Sequence, residues 1–196
     1  MIEILDDQYA ATSQLFGFPD GQHVWVFLYN RGSELTPPLP EARAGVAFPD
    51  TNALHAVAAA PLDDNLRTLL AHELNHVILN NGLGRAGTSF MNEGLASAVL
   101  SEQLAPIGRT ALLQWARSHR ARLMKVSDLI DDSKWDSNSY DGYQTSASFL
   151  AFLIDRYGVA ALRRVYYARS SEFAARVPET YGKSLDALEA EWLATI

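Results

Sequence analysis

Apolar positions along this chain follow two spacings, and the change from one to the other divides it. In the first third they come in short runs. His23-Val24-Trp25-Val26-Phe27-Leu28-Tyr29-Asn30 is aromatic and β-branched, lies between Asp20-Gly21 and Arg31-Gly32, and predicts a strand. Gly45-Val46-Ala47-Phe48 and Ala53-Leu54-His55-Ala56-Val57-Ala58 predict a hairpin around Pro49-Asp50-Thr51-Asn52. Thr36-Pro37-Pro38-Leu39-Pro40 is expected to be loop, because proline fixes φ and lacks an N–H donor. Ile2 to Phe18 reads as a helix or a mixed segment.

From Asn65 onward the spacing becomes three and four. Leu66, Leu69, Leu70, Leu74, Val77 and Ile78 form one buried stripe of a helix over 65–79, with Asp63 or Asp64 as its cap and Asn80-Asn81-Gly82 as its stop. A second helix is predicted from Met91 to Ser101, capped by Thr88 or Ser89. Its small residues Gly94, Ala96, Ser97 and Ala98 would allow close approach to the first helix. Leu104 to Leu123 is predicted helical, with His119 exposed, and Asp131 to Gly142 is polar and turn-rich, so a loop. Helices follow at Gln144–Tyr157, stopped by Gly158, then at 159–169, near 171–176, and at Ser184–Thr195, where Leu185, Leu188 and Trp192 make a core stripe. The predicted class is α+β: a small N-terminal mixed sheet packed on a helix, then a mainly helical lobe. The chain reads as one domain over 1–196, its N-terminal lobe about 1–82 and its C-terminal lobe about 83–196.

Composition narrows the chemistry. With 196 residues, 48% of them apolar, the chain can bury a core as one domain. A net charge of −7 and no basic run argue against a nucleic-acid partner. No apolar run has the length of a membrane span, and the N-terminus lacks a basic region ahead of an apolar one, so a cytoplasmic location is expected. There are no cysteines, so a metal would have to be held by histidine and carboxylate. The acidic run 131–141 lacks the register and closing glutamate of a calcium loop.

The first helix carries His72-Glu73-Leu74-Asn75-His76. Residues four apart share one side of a helix, so His72 and His76 can both reach one ion. Glu73, one step round, stands beside that ion, placed to take a proton from a water the metal activates. Glu93, 17 positions after His76 across a glycine-rich connection, is the candidate third ligand. Two histidines and one glutamate leave a fourth position open, as a catalytic zinc requires. A carboxylate early in a helix is also what the helix dipole favours.

His72-Glu73-Leu74-Asn75-His76 with Asn92-Glu93-Gly94-Leu95-Ala96 resembles the gluzincin metallopeptidases, most of all the compact peptidase MA-like domains related to the aminopeptidase N catalytic domain. Similarity continues over 143–158 and 185–192, while the first sixty residues match loosely. The resemblance implies a zincin-like fold, one Zn2+ per chain on His72, His76 and Glu93, Glu73 as general base, and hydrolysis of peptide bonds in a peptide or protein substrate, as an endopeptidase. It implies a strand at the cleft rim that pairs with extended substrate, here 53–58 or 45–48. It also implies a tyrosine that donates to the developing oxyanion. Tyr143, before the small residues Ser146-Ala147-Ser148, fits that place best, and Tyr140 is next.

Two features depart from the family. The aminopeptidase signature that grips a substrate N-terminus is absent, since Ala44-Gly45-Val46-Ala47-Phe48 has no glutamate, and Ser97 stands where thermolysin-like enzymes carry an aspartate that orients a zinc histidine. His55, a lone strand histidine, reads first as structural and second as facing the cleft. The alternative function is a zinc-binding, non-catalytic module that holds a protein partner along the rim strand.

Overall fold

The chain's first strong element is a helix, α1 (Ile2–Phe16), in the computed structural model, which describes residues 2–19, 21–35, 44–58, 63–102 and 108–196. The predicted loop at 36–40 lies outside the described residues. The structure is α+β and divides into two compact units, Met1–Gly84 with Leu100–Ile107, and Arg85–Val99 with Gly108–Ile196.

In the first unit, β1 (Trp25–Tyr29), β2 (Gly45–Phe48) and β3 (Ala53–Val57) form a three-stranded mixed sheet in the order β1-β3-β2. β3 runs parallel to β1, Trp25 opposite Ala53 through Tyr29 opposite Val57, and antiparallel to β2, Gly45 opposite Ala56 through Phe48 opposite Ala53. The predicted hairpin therefore forms. A 3-10 turn over Pro49–Thr51 closes it, and Asn52 follows at φ 50, a left-handed conformation that asparagine tolerates.

Strand alternation then sorts the side chains. Leu54 and Ala56 are fully buried and join Leu5, Leu70, Leu74 and Ile78 in one cluster, with Val26 against it. The opposite face carries Phe27, Val46, Phe48 and His55, with Trp25 65% exposed. Each large side chain fully removed from water contributes about 1.5–3 kcal/mol, so the cluster between sheet and helix is what holds this unit.

That helix, α2 (Asp64–Leu83), begins as predicted: Asp63 Oδ1 accepts from Leu66 N at 2.9 Å. Its end differs. Gly82 lies inside the helix, and the chain turns out only at Gly84, at φ 83. Gly82 instead faces the Phe18 ring, whose outer edge lies where a Cβ would stand. α1 packs on α2, and it buries Gln8 and Thr12 against Asn75 of α2.

The second unit is helical: α3 (Ser89–Ala98), α4 (Arg109–Ser118), α5 (Val126–Ile130), α6 (Tyr140–Tyr166), α7 (Ser170–Tyr181) and α8 (Leu185–Thr195). α6 is its centre, touching the other five. Phe149 of α6 lies tilted against Phe90 and edge-on to Trp192, with ring centroids at 6.4 and 5.6 Å, and Trp192 Nε1 donates to Ser148 Oγ at 3.2 Å. α3 is capped by Thr88, whose Oγ1 accepts from Met91 N, and it ends at Ala98 rather than Ser101. Leu188 and Trp192 are fully buried as expected, with Leu185 half-buried.

Three expectations need correction. The segment 104–123 is helical only over 109–118 and then in a 3-10 turn at 120–122, with 104–107 outside the described residues. His119 is half-buried, stacked on Trp115 at 5.0 Å and donating Nδ1–H to the Trp115 carbonyl at 2.9 Å. The predicted loop 131–142 stops at Ser139, whose Oγ accepts from Gly142 N and starts α6 early. Gly158, at φ 79 and ψ 162, breaks α6 into the two helices expected there.

Candidate metal centre

His72 and His76 stand one turn apart on α2, both half-buried. Their Nε2 atoms are 3.0 Å apart and their rings are perpendicular, with centroids at 4.6 Å. Two such nitrogens either share a proton or turn both lone pairs toward one cation. Tetrahedral zinc with arms of about 2.0–2.1 Å sets its donors roughly 3.3 Å apart, close to the observed spacing. Glu93, half-buried in the second turn of α3, brings the third donor. One ligand atom from each of His72, His76 and Glu93 lies within 4.8 Å of the others. Among the described residues this is the only group of three or more such side chains that could hold a metal ion. Two imidazoles and a carboxylate without thiolate suit a divalent transition-metal ion.

Glu73 follows His72 on α2 and is 8% exposed. It lies against β2: a Cβ on Gly45 would stand 3.2 Å from the Glu73 Oε1 and 3.1 Å from its Cγ. Glycine at position 45 is thus what lets the strand backbone come so near this carboxylate. The sequence signal was only a glycine opening a strand, and it went unread.

β3 has both edges occupied, by β1 and β2, whereas β2 has one edge without a strand partner among the described residues. Of the two segments expected at a cleft rim, 45–48 therefore has an edge to offer and 53–58 does not. His55 sits mid-strand on the face away from α2. Its Nδ1 is 2.8 Å from the Tyr29 hydroxyl, and its ring stacks on Phe27 and Tyr29 at 4.6 and 5.6 Å. Burial among these rings pushes its pKa down. It is a member of an aromatic layer.

Tyr143 lies at the start of α6, half-buried, its ring 5.4 Å from Trp135. It shares a helical face with Ser146 and Leu150, the residues a Cβ on Gly94 would meet at 2.8 and 2.9 Å. The face of α6 that bears Tyr143 is therefore the one on which Gly94 of α3 packs. Tyr140 is 59% exposed, with its ring 6.0 Å from Trp115 of α4. The small residue Gly94, read from sequence as easing approach to the first helix, serves α6. Ser97 is half-buried on α3.

Two further residues went unread. Asn92 Nδ2 donates to Glu93 Oε1 at 3.0 Å, holding one carboxylate oxygen. Asn75, inside the His-Glu-x-x-His stretch, is fully buried, and its Oδ1 accepts from Gln8 Nε2 at 3.0 Å and Thr12 Oγ1 at 2.8 Å. A polar residue on the buried flank of an apolar helix was the available clue.

Compared with protein-family models, curated proteins and solved structures, the chain matches none. Among the described residues no helix is long and apolar enough to cross a membrane.

Proposed function

We propose that this chain is a zinc-dependent metallopeptidase of the gluzincin type, cutting within peptide chains. The observation that carries the reading is the convergence of donor atoms from His72, His76 and Glu93, with the buried Glu73 adjoining His72. Zinc, when bound, would polarise the substrate carbonyl and acidify a water. Glu73 then accepts the water proton and passes it to the leaving amine. Tyr143 donates a hydrogen bond to the oxyanion. The edge of β2 that has no strand partner among the described residues pairs with an extended substrate. Support for these roles comes from the 3.0 Å Nε2 spacing, the Gly45–Glu73 approach and the place of Tyr143 on the face toward α3.

The deciding experiment joins two measurements. Elemental analysis of protein purified without chelators should give close to one zinc per wild-type chain and a much lower content for Glu93→Ala. Wild type should cleave an unfolded protein, while Glu73→Gln keeps its zinc and is inert. Zinc retained by wild type and Glu73→Gln alike, with neither cleaving, would favour the non-catalytic zinc-binding module instead.

A further inference from the structure

We infer that Asn75 is a positioning residue: with Gln8 and Thr12 of α1 it locks the rotation of α2 about its own axis and so fixes the direction in which the His72–His76 pair faces. The inference rests on the metal reading above. Gln8 Nε2 donates to Thr12 Oγ1 at 2.9 Å and to Asn75 Oδ1 at 3.0 Å, and Thr12 Oγ1 donates to Asn75 Oδ1 at 2.8 Å. This closes a ring of three side chains, each 0% exposed. Gln8 Oε1 in turn accepts from the Ser101 backbone N–H at 2.9 Å, which fixes which way the amide faces. The ring lies where α1 packs on α2, and Leu5 of α1 and Leu74 and Ile78 of α2 belong to one apolar cluster.

Apolar contacts are non-directional. Buried hydrogen bonds have one geometry, and breaking them strands polar atoms away from water. At 3.6 residues per turn Asn75 lies roughly 60° round the helix from His72 and 100° from His76. It flanks the ligand side opposite Glu73. A ring nitrogen roughly 6 Å from the axis moves about 1 Å for each 10° of helix rotation, and ligand constellations tolerate about 0.5 Å. A small rotation of α2 would therefore re-aim both imidazoles together by more than that tolerance, and the three-membered ring is the directional contact that opposes it.

The test titrates full-length protein with Zn2+ in competition with a chromophoric chelator, and with Co2+ followed by its visible absorption. The variants are Thr12→Val, Asn75→Leu and Leu5→Ala, each shown to be folded by circular dichroism. Leu5→Ala loosens the same helix pair without touching the ring. Thr12→Val, on another helix, guards against Asn75→Leu failing to fold. Zn2+ affinity about tenfold weaker in Thr12→Val and Asn75→Leu, with an altered Co2+ spectrum, while Leu5→Ala matches wild type in both, is the expected result. Wild-type affinity and spectrum in Thr12→Val, or an equal loss in Leu5→Ala, would overturn the inference and leave the ring a packing feature. A wild type that binds neither ion would instead remove the metal reading itself.

Discussion

The two helices that carry the candidate ligands are each held by a neighbour, and the two holds differ in kind. α2 is seated on α1 by neutral hydrogen bonds among Gln8, Thr12 and Asn75, alongside the apolar cluster that Leu5 shares with Leu74 and Ile78. α3 is seated on α6 by close approach, Gly94 against Ser146 and Leu150, where a single Cβ would come within 2.8 Å of Ser146 Cβ. The first contact specifies direction and tolerates some change of volume. The second specifies distance and tolerates almost none. The candidate nitrogens of His72 and His76 thus stand on a helix held by direction, and the candidate oxygen of Glu93 on a helix held by distance.

The sharpest way to break the comparison is Gly94→Val. Added methyl groups have no space on α6, and stability to urea should fall by about 3 kcal/mol. Asn75→Leu should cost less, about 2 kcal/mol, because the loss is of satisfied donors rather than of space. Adding Thr12→Val to it should cost less than Thr12→Val alone, since the two share one ring of hydrogen bonds. Ser146→Gly should offset part of the cost of Gly94→Ala, with a favourable coupling of about 1 kcal/mol in a double-mutant cycle. If that coupling is absent, the α3–α6 contact is not set by volume.

The smallest effect separates charged from neutral ties. Glu191 of α8 is held by Lys183, by the Tyr157 hydroxyl at 2.7 Å and by Arg156, and the Lys183 hydrogen bond leads in drawing its pKa from 4.5 to about 2. A carboxylate with a lowered folded pKa binds fewer protons folded than unfolded. Its contribution is complete above about pH 4.5 and disappears as pH falls toward 2. Replacing Glu191 with Gln should therefore flatten the acid limb of stability between those values. The ring of Gln8, Thr12 and Asn75 has no group that titrates there, so Thr12→Val should shift the curve without changing its shape.

Much of this architecture was legible from spacing. The stripe from Leu66 to Ile78, the Asp63 cap, the 45–58 hairpin and the α+β class all express local rules that the tertiary structure does not override. The pairing of His72 with His76 was legible because the helical repeat alone brings them together. What escaped depended on partners distant in sequence. Gly82 looks like a stop until Phe18 is seen to occupy its Cβ position. Gly45 has no meaning until Glu73 lies beside it. Asn75 reads as a polar filler until Gln8, 67 residues away, bonds to it. Helix ends shifted for a local reason: Ser139 caps Gly142 three residues on, and α2 runs past Gly82 to turn out at Gly84.

Strand β1 has one more consequence. Trp25-Val26-Phe27-Leu28-Tyr29 is an edge strand among the described residues, carries no charge and no proline, and leaves Trp25, Phe27 and Leu28 more than 40% exposed. Uncharged aromatic edges of this kind template intermolecular pairing and the growth of insoluble cross-β material. This is the segment through which copies would join first under mild heating. A lysine at Phe27 should raise the concentration at which the protein stays clear.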